Sequence, residues 1–158
     1  MLFLVFQIGN DRYALDTSHV VEVIPFLALK QIPQAPRGVA GLFNYRGRPV
    51  PAVDLCDLTL GQPARERLST RIIIVKYPDA EGETHLLGLI AEHATGTMRK
   101  EAREFVDAGV KVSGAPYLGP VIMDGQGVIQ WLHEQRLLDQ SVRDLLFRRT
   151  PELTHEPD

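Results

Sequence analysis

The sequence predicts an all-β chain: two pseudo-repeated, five-stranded barrels packed on a shared apolar seam, with a short C-terminal helix. Three observations carry this. Runs of strand-forming residues recur along the chain, each bounded by Gly, Pro, Asn or Asp. The stretch Gly41-Leu42-Phe43-Asn44-Tyr45-Arg46-Gly47 followed by Val50 aligns without gaps on Gly119-Pro120-Val121-Ile122-Met123-Asp124-Gly125 followed by Val128. Helical spacing of apolar residues is found in His133 to Phe147, through Leu137, Leu138, Val142, Leu145 and Leu146.

The elements follow in order. Leu2 to Ile8 is apolar on both faces, as a strand inside a barrel should be. Gly9-Asn10-Asp11 turns the chain into Arg12–Leu15, and Asp16-Thr17-Ser18 suits the cap of a short helical turn. Val20 to Ile24 reads as a strand, with Glu22 as its single charge; alternation puts Glu22 on the exposed side, opposite Val21 and Val23. Gln31 to Pro36 is a loop. Two apolar runs, Val39–Phe43 and Val50–Leu55, flank Arg46-Gly47 and predict a hairpin with Arg46 at its solvated tip. Pro49 and Pro51 share one face of the returning strand and cannot donate ladder hydrogen bonds, so that strand has a free or covered edge.

Asp54 to Leu60 forms a short helical turn, and Gly61 to Ser69 a flexible crossover. Arg71–Tyr77 and Thr84–Ala91 are strands around a polar turn. Ala94 to Val112 is the least legible part, with a strand edge at Gly96-Thr97-Met98 and a loop or turn at Glu101–Val106. Pro116 to Met123, Asp124-Gly125 and Gly127 to Leu132 make a second hairpin. Residues 1–147 then form one domain, with lobe one near 16–68 and lobe two near 69–132, strand exchange between them allowed, and a closing helix at 133–147. Residues 148–158 are polar, hold two prolines and are expected to fray. Neither lobe alone could bury much surface, which is why a common seam is required.

Composition narrows function. The chain has 158 residues, 44% hydrophobic, and a formal net charge of -3; its pI is near 5.9 and its mean hydropathy -0.07. No basic excess invites a nucleic-acid backbone. The single cysteine, Cys56, forms no internal disulfide and fits a reducing compartment. Met1-Leu2-Phe3-Leu4-Val5-Phe6 lacks the basic start and the length of a signal or membrane segment, so a cytoplasmic protein without direct membrane insertion is expected.

The reactive residue types form no catalytic set. No two of His19, His85, His93, His133 and His155 have the i, i+4 spacing of a zinc pair, and no metal or other cofactor is expected. Cys56 lies between Asp54 and Asp57, carboxylates that raise a thiol pKa, so a buried filler fits it better than a nucleophile. Asp54 and Asp57 could share a helical face, but with one Trp in the chain a substrate cleft is unsupported, and a capping Asp54 is the simpler reading. Gly38-x-x-Gly41 lacks the Lys-Ser/Thr of a phosphate loop. A non-enzyme that works through its surfaces is expected. The alternative is a small β-barrel nucleic-acid binder, opposed by the acidic charge and the 7% aromatic content.

Residues Gly38 to Leu55, read as G-V-x-G-L-x-N-x-R-G-x-x-V-P-x-V-D-L, resemble the signature of CheW-like domains, adaptors that couple chemoreceptors to the histidine kinase CheA. The resemblance spans residues 2 to about 146. It implies paired five-stranded, SH3-like barrels and a scaffold in a bacterial chemosensory two-component system. Its implied partners are a chemoreceptor cytoplasmic domain, the CheW-like regulatory domain of a CheA-like kinase, and other CheW-like proteins or further copies of this chain. It places Arg46 in the receptor-facing region, with Glu22 and Val20 of the Val20-Val21-Glu22-Val23 segment beside it. Asn44 matches the motif Asn and should pin the hairpin through its side chain. Kinase contacts would fall around Leu42, Phe43 and Val50 in lobe one and Leu118 to Val121 in lobe two, although plain core explains these apolar positions as well. Pro25-Phe26 departs from the charged or polar pair many members carry there, and the residues after Phe147 have no counterpart. Both departures hint at a surface-sensing, Wsp-type array.

Overall fold

A computed structural model describes residues 1–79 and 81–147; the expected fraying tail lies outside them. Its strands are β1 (Leu2–Ile8), β2 (Asp11–Asp16), β3 (Val20–Pro25), β4 (Val39–Tyr45), β5 (Arg48–Asp54), β6 (Arg71–Pro78), β7 (Thr84–Arg99), β8 (Leu118–Asp124) and β9 (Gly127–Leu132), with helices α1 (Leu55–Leu60) and α2 (Gln140–Phe147). The all-β prediction holds, and the strands sort into two five-stranded sets that share β7.

The first set runs β4-β5-β7-β6-β3, with β5 and β7 parallel over Ala52–Asp54 and Gly88–Ile90. The second runs β8-β9-β2-β1-β7, with β2 and β9 parallel. In each set one isolated bridge links an end strand to the stretch that follows the other end strand: Leu42 of β4 to Lys30 after β3 in the first, and Val121 of β8 to Val106 after β7 in the second. The sets are therefore not consecutive halves of the chain. β1 and β2 belong with β8 and β9, while β6 and the front of β7 belong with β3, β4 and β5, so strand exchange crosses the expected division at 68/69. β7 makes this possible. Residues up to Ala91 pair with β6 and residues from Glu92 onward with β1. Just past that junction His93 takes φ 48 and the register with β1 slips, which bends the strand from one barrel into the other. The strand edge expected at Gly96–Met98 is thus the far half of a 16-residue strand.

Burial explains the sequence pattern. On β6, Ile72 and Ile74 face the core of the first barrel, while Ile73 and Val75 face a larger central core. A strand covered on both sides reads as a continuous apolar run. On β1, Phe3 enters the second barrel's core and Leu4, Phe6 and Ile8 enter the central one. That central cluster takes Tyr13, Leu15, Val53, Leu55, Tyr77 and Leu132 from both sets. It is the expected apolar seam.

Three expectations change. The bulge between Val20 and Glu22 breaks the alternation on β3: Val23 packs on the central core while Val21 is exposed, and Glu22 is half-exposed. The closing helix starts at Gln140 rather than His133, because Asp139 caps it by accepting from the Val142 N–H at 2.9 Å; Leu137 and Leu138 are buried ahead of it and Leu145 is exposed. The 61–69 crossover is pinned, since buried Glu92 accepts from the Arg65 N–H at 2.6 Å and its guanidinium at 3.1 Å.

Asp54 and Cys56 take the structural roles expected of them. Asp54 is buried and accepts from the N–H groups of Cys56, Asp57 and Ala64 at 2.9, 3.2 and 2.9 Å, capping α1 and holding the crossover. Burial still pushes its pKa up despite those bonds. Cys56 is buried, which with the nearby carboxylates pushes its thiol up to about 11.

Glu134 is a buried carboxyl whose Oε2 meets no hydrogen-bond partner among the described residues. Burial pushes its pKa up, with His19 and Asp16 pulling in opposite directions. A folded pKa above the unfolded one means its contribution is fully present below the unfolded value and is lost as pH rises through the folded one. Glu134→Gln should therefore stabilise the protein at pH 8 by on the order of 1 kcal/mol. That gain should shrink toward zero in denaturant titrations near pH 4. A gain independent of pH would contradict this account.

Candidate functional site

The β4–β5 hairpin closes on a two-residue turn in which Arg46 and Gly47 both have positive φ, 51 and 84. That is the backbone of a type I′ turn, whose twist matches the flanking strands. Asn44 holds it, its side-chain oxygen accepting from the Gly47 N–H at 2.7 Å. The pinning role expected of Asn44 is what the side chain does. Beyond Pro49 and Pro51, β5 pairs with β7 only from Ala52 onward, so the tip end of the hairpin keeps an open edge.

The turn projects Arg46 outward, its side chain 75% exposed. Its Nη2 lies 3.1 Å from Glu22 Oε1, and the Tyr45 hydroxyl donates to the same oxygen at 2.6 Å. The guanidinium also sits 5.2 Å from the centre of the Tyr45 ring. Donation to Glu22 pushes the Tyr45 pKa up and keeps the phenol protonated. Glu22 and Arg46, 24 residues apart, thus meet across the gap between β3 and β4. This gap is spanned elsewhere by the Lys30–Leu42 bridge. Tyr45 is the member that the sequence reading missed; an aromatic beside the motif Asn was the available signal. Val20 instead packs on the central core.

The apolar candidates divide. Phe43 and Val50 face each other in the β4–β5 register and are buried in the first barrel, 4% and 2% exposed. They are core, because the strand pleat turns both inward, and a partner could reach them only by opening the barrel. Leu42, Leu118 and Val121 keep some exposed surface.

The second hairpin carries its charge as an acid at the end of the outgoing strand, before a turn at Gly125-Gln126 that lacks the paired positive φ of Arg46-Gly47. Asp124 ends β8 opposite Gly127, as Tyr45 ends β4 opposite Arg48, so it takes the strand position of Tyr45 rather than the turn position of Arg46. It receives a two-pronged bond from Arg12 at 2.9 and 2.5 Å. Arg12 and the Gln126 N–H hold the Asp124 carboxyl well below the usual carboxylate range. Met123 and Val128, near it in sequence, are exposed, as is Val106, which bridges to Val121 of the same strand. One grouping escaped the search for histidine pairs. Asp79, Glu83 and His85 bring ligand-capable atoms within 4.8 Å of one another, but His85 Nε2 already bonds Asp79 at 2.7 Å and its ring stacks on Phe147.

With this geometry in hand, comparison with known proteins is decisive on family. The CheW-like domain family model matches residues 2–142. The chain belongs to the CheW-like domain family. Among curated CheW-like relatives, the chemotaxis protein CheW of Helicobacter pylori is 31% identical over 78 residues, 49% of this chain and 47% of that protein. The chemotaxis protein CheW of Thermotoga maritima is 28% identical over 96 residues, 61% of this chain and 60% of that one. The matched segments thus span about half to three fifths of these relatives' length. The solved scaffolding protein TtCheW of Thermoanaerobacter tengcongensis shares the CheW-like fold with a TM-score of 0.76 at 22% identity, over 89% of each chain. No helix among the described residues of this CheW-like chain is long and apolar enough to cross a membrane.

Proposed function

We propose that this chain is a non-enzymatic adaptor that couples the cytoplasmic domain of a chemoreceptor to a CheA-like histidine kinase. It acts in the cytoplasm and reaches the membrane only through receptor complexes. The single observation that carries the reading is Arg46: an exposed guanidinium fixed by a type I′ turn, lying where the family resemblance puts the receptor-facing region. A guanidinium offers five donors in a rigid fork and is enriched among interface residues that dominate binding. Glu22 and Tyr45 orient that fork while leaving most of it in solvent, and Asn44 sets the angle at which the tip is presented. Adjacent opposite charges favour one docking orientation more than they add affinity.

Kinase contacts are assigned to Leu42, Leu118 and Val121, the apolar candidates that retain exposed surface. The mechanism is positional: the chain holds two proteins together and performs no covalent step. Tagged protein used as bait in its native cell should retain a receptor and a histidine kinase together, identified by mass spectrometry, and the Arg46→Glu variant should lose the receptor. A bait that retains neither would overturn the assignment.

A further inference from the structure

An open cavity of about 310 Å³ lies on the second barrel, between the 107–111 loop, the start of β8 and the turn after β9. Lys111 and Arg136 line it, and among the described residues no side-chain ion pair or hydrogen bond engages either cation. His133 lines it too, its ring in contact with Trp131 and otherwise free of hydrogen bonds within the described residues. A side chain on Gly119 would put its Cβ 2.5 Å from His133 Nε2, so the imidazole can lie at the cavity edge only because residue 119 is glycine. The acid in the lining, Asp107, already spends Oδ1 on the Gly109 N–H at 2.7 Å. Leu118 and Pro120 supply apolar wall.

Unengaged donors converging on one concavity, beside apolar wall, are what a small-molecule site with a charged end requires. The occupant is small, because the cavity offers only about 310 Å³. We propose that this cavity binds a small organic dianion, a phosphate monoester or a dicarboxylate. Lys111, Arg136 and His133 take its charged groups, and Leu118 and Pro120 take its carbon skeleton.

The site is distinct from the Arg46 surface and is tested with neither receptor nor kinase present. Phenyl phosphate, phthalate and neutral phenol are titrated separately into the isotope-labelled full chain, following backbone amide signals by NMR. At least one dianion should move Lys111, Gly119 and Arg136 saturably below about 10 mM while phenol does not. The dianion that binds more tightly names the headgroup. Burial, together with Arg136, pulls the His133 pKa down; a bound dianion should raise it in a titration of the ring protons. Lys111→Gln with Arg136→Gln should weaken binding at least about tenfold with the rest of the spectrum unchanged. If neither dianion produces saturable shifts, or the double variant binds as tightly as the parent, the proposal is wrong.

Discussion

Arg46→Glu is expected to cut binding to receptor cytoplasmic tips by at least about tenfold while the protein stays folded. The two halves of this expectation have separate origins. Arg46 is largely solvent-exposed and its pair with Glu22 is a surface pair, so its loss costs the fold roughly 1 kcal/mol or less. The barrel cores do not involve it. At the tip, however, the substitution replaces a donor fork by an acceptor. It also sets two carboxylates where Glu22 had met a cation, so the patch turns from mixed to acidic. A partner surface complementary to Arg46 would meet repulsion instead of a bond. Thermal unfolding should shift by no more than about 4 °C, while sedimentation with receptor tips should fall sharply. A folded variant that binds receptor as well as the parent would remove Arg46 from the interface.

The second large effect concerns stability. Gly41→Ala should destabilise the chain by about 3 kcal/mol and lower its Tm by roughly 10 °C. Gly41 has φ 148, and a Cβ there would lie 2.4 Å from the Lys30 carbonyl oxygen. That carbonyl accepts from the Leu42 N–H at 2.8 Å, and the Lys30 N–H donates to the Leu42 carbonyl at 2.8 Å. These bonds form the isolated bridge between the stretch after β3 and β4. An alanine would push the two apart and open the first barrel over Phe43 and Val50. Gly47→Ala is the control: φ is 84 there, but beyond its chain neighbours no atom lies within 4 Å of the added carbon, so only the conformational cost of about 1 kcal/mol applies. Equal losses for the two variants in thermal scans would contradict this reading of the motif glycine.

What the sequence disclosed was mostly local. The Arg46-Gly47 turn, the Asn44 pin and the Asp54 cap each depend on residues within a few positions, and each was legible. The doubly apolar runs of β1 and β6 announced strands covered on both faces. What escaped depends on distant partners or on single backbone irregularities. Nothing near Thr84–Arg99 announces one strand serving two barrels, because that follows from pairing with β1, β5 and β6 together and from the kink at His93. The bulge at Val20–Glu22 defeated simple alternation on β3. Phe43 and Val50 allowed an interface reading beside the favoured core one until burial inside the first barrel decided for core. Asp139, by contrast, was a readable helix start that apolar spacing alone overlooked. At the candidate site, charge and motif gave Glu22 and Arg46, while only folding revealed that Tyr45 shares their oxygen.

The central claim is that this chain holds a receptor and a kinase in one complex. Sedimentation of receptor-bearing vesicles with purified kinase, with and without the chain, tests it most directly. The account predicts that the kinase pellets with the vesicles several-fold more when the chain is present. The Arg46→Glu chain should bind the kinase in solution but fail to bring it down. Kinase sedimenting to the same extent with and without the chain would contradict the account.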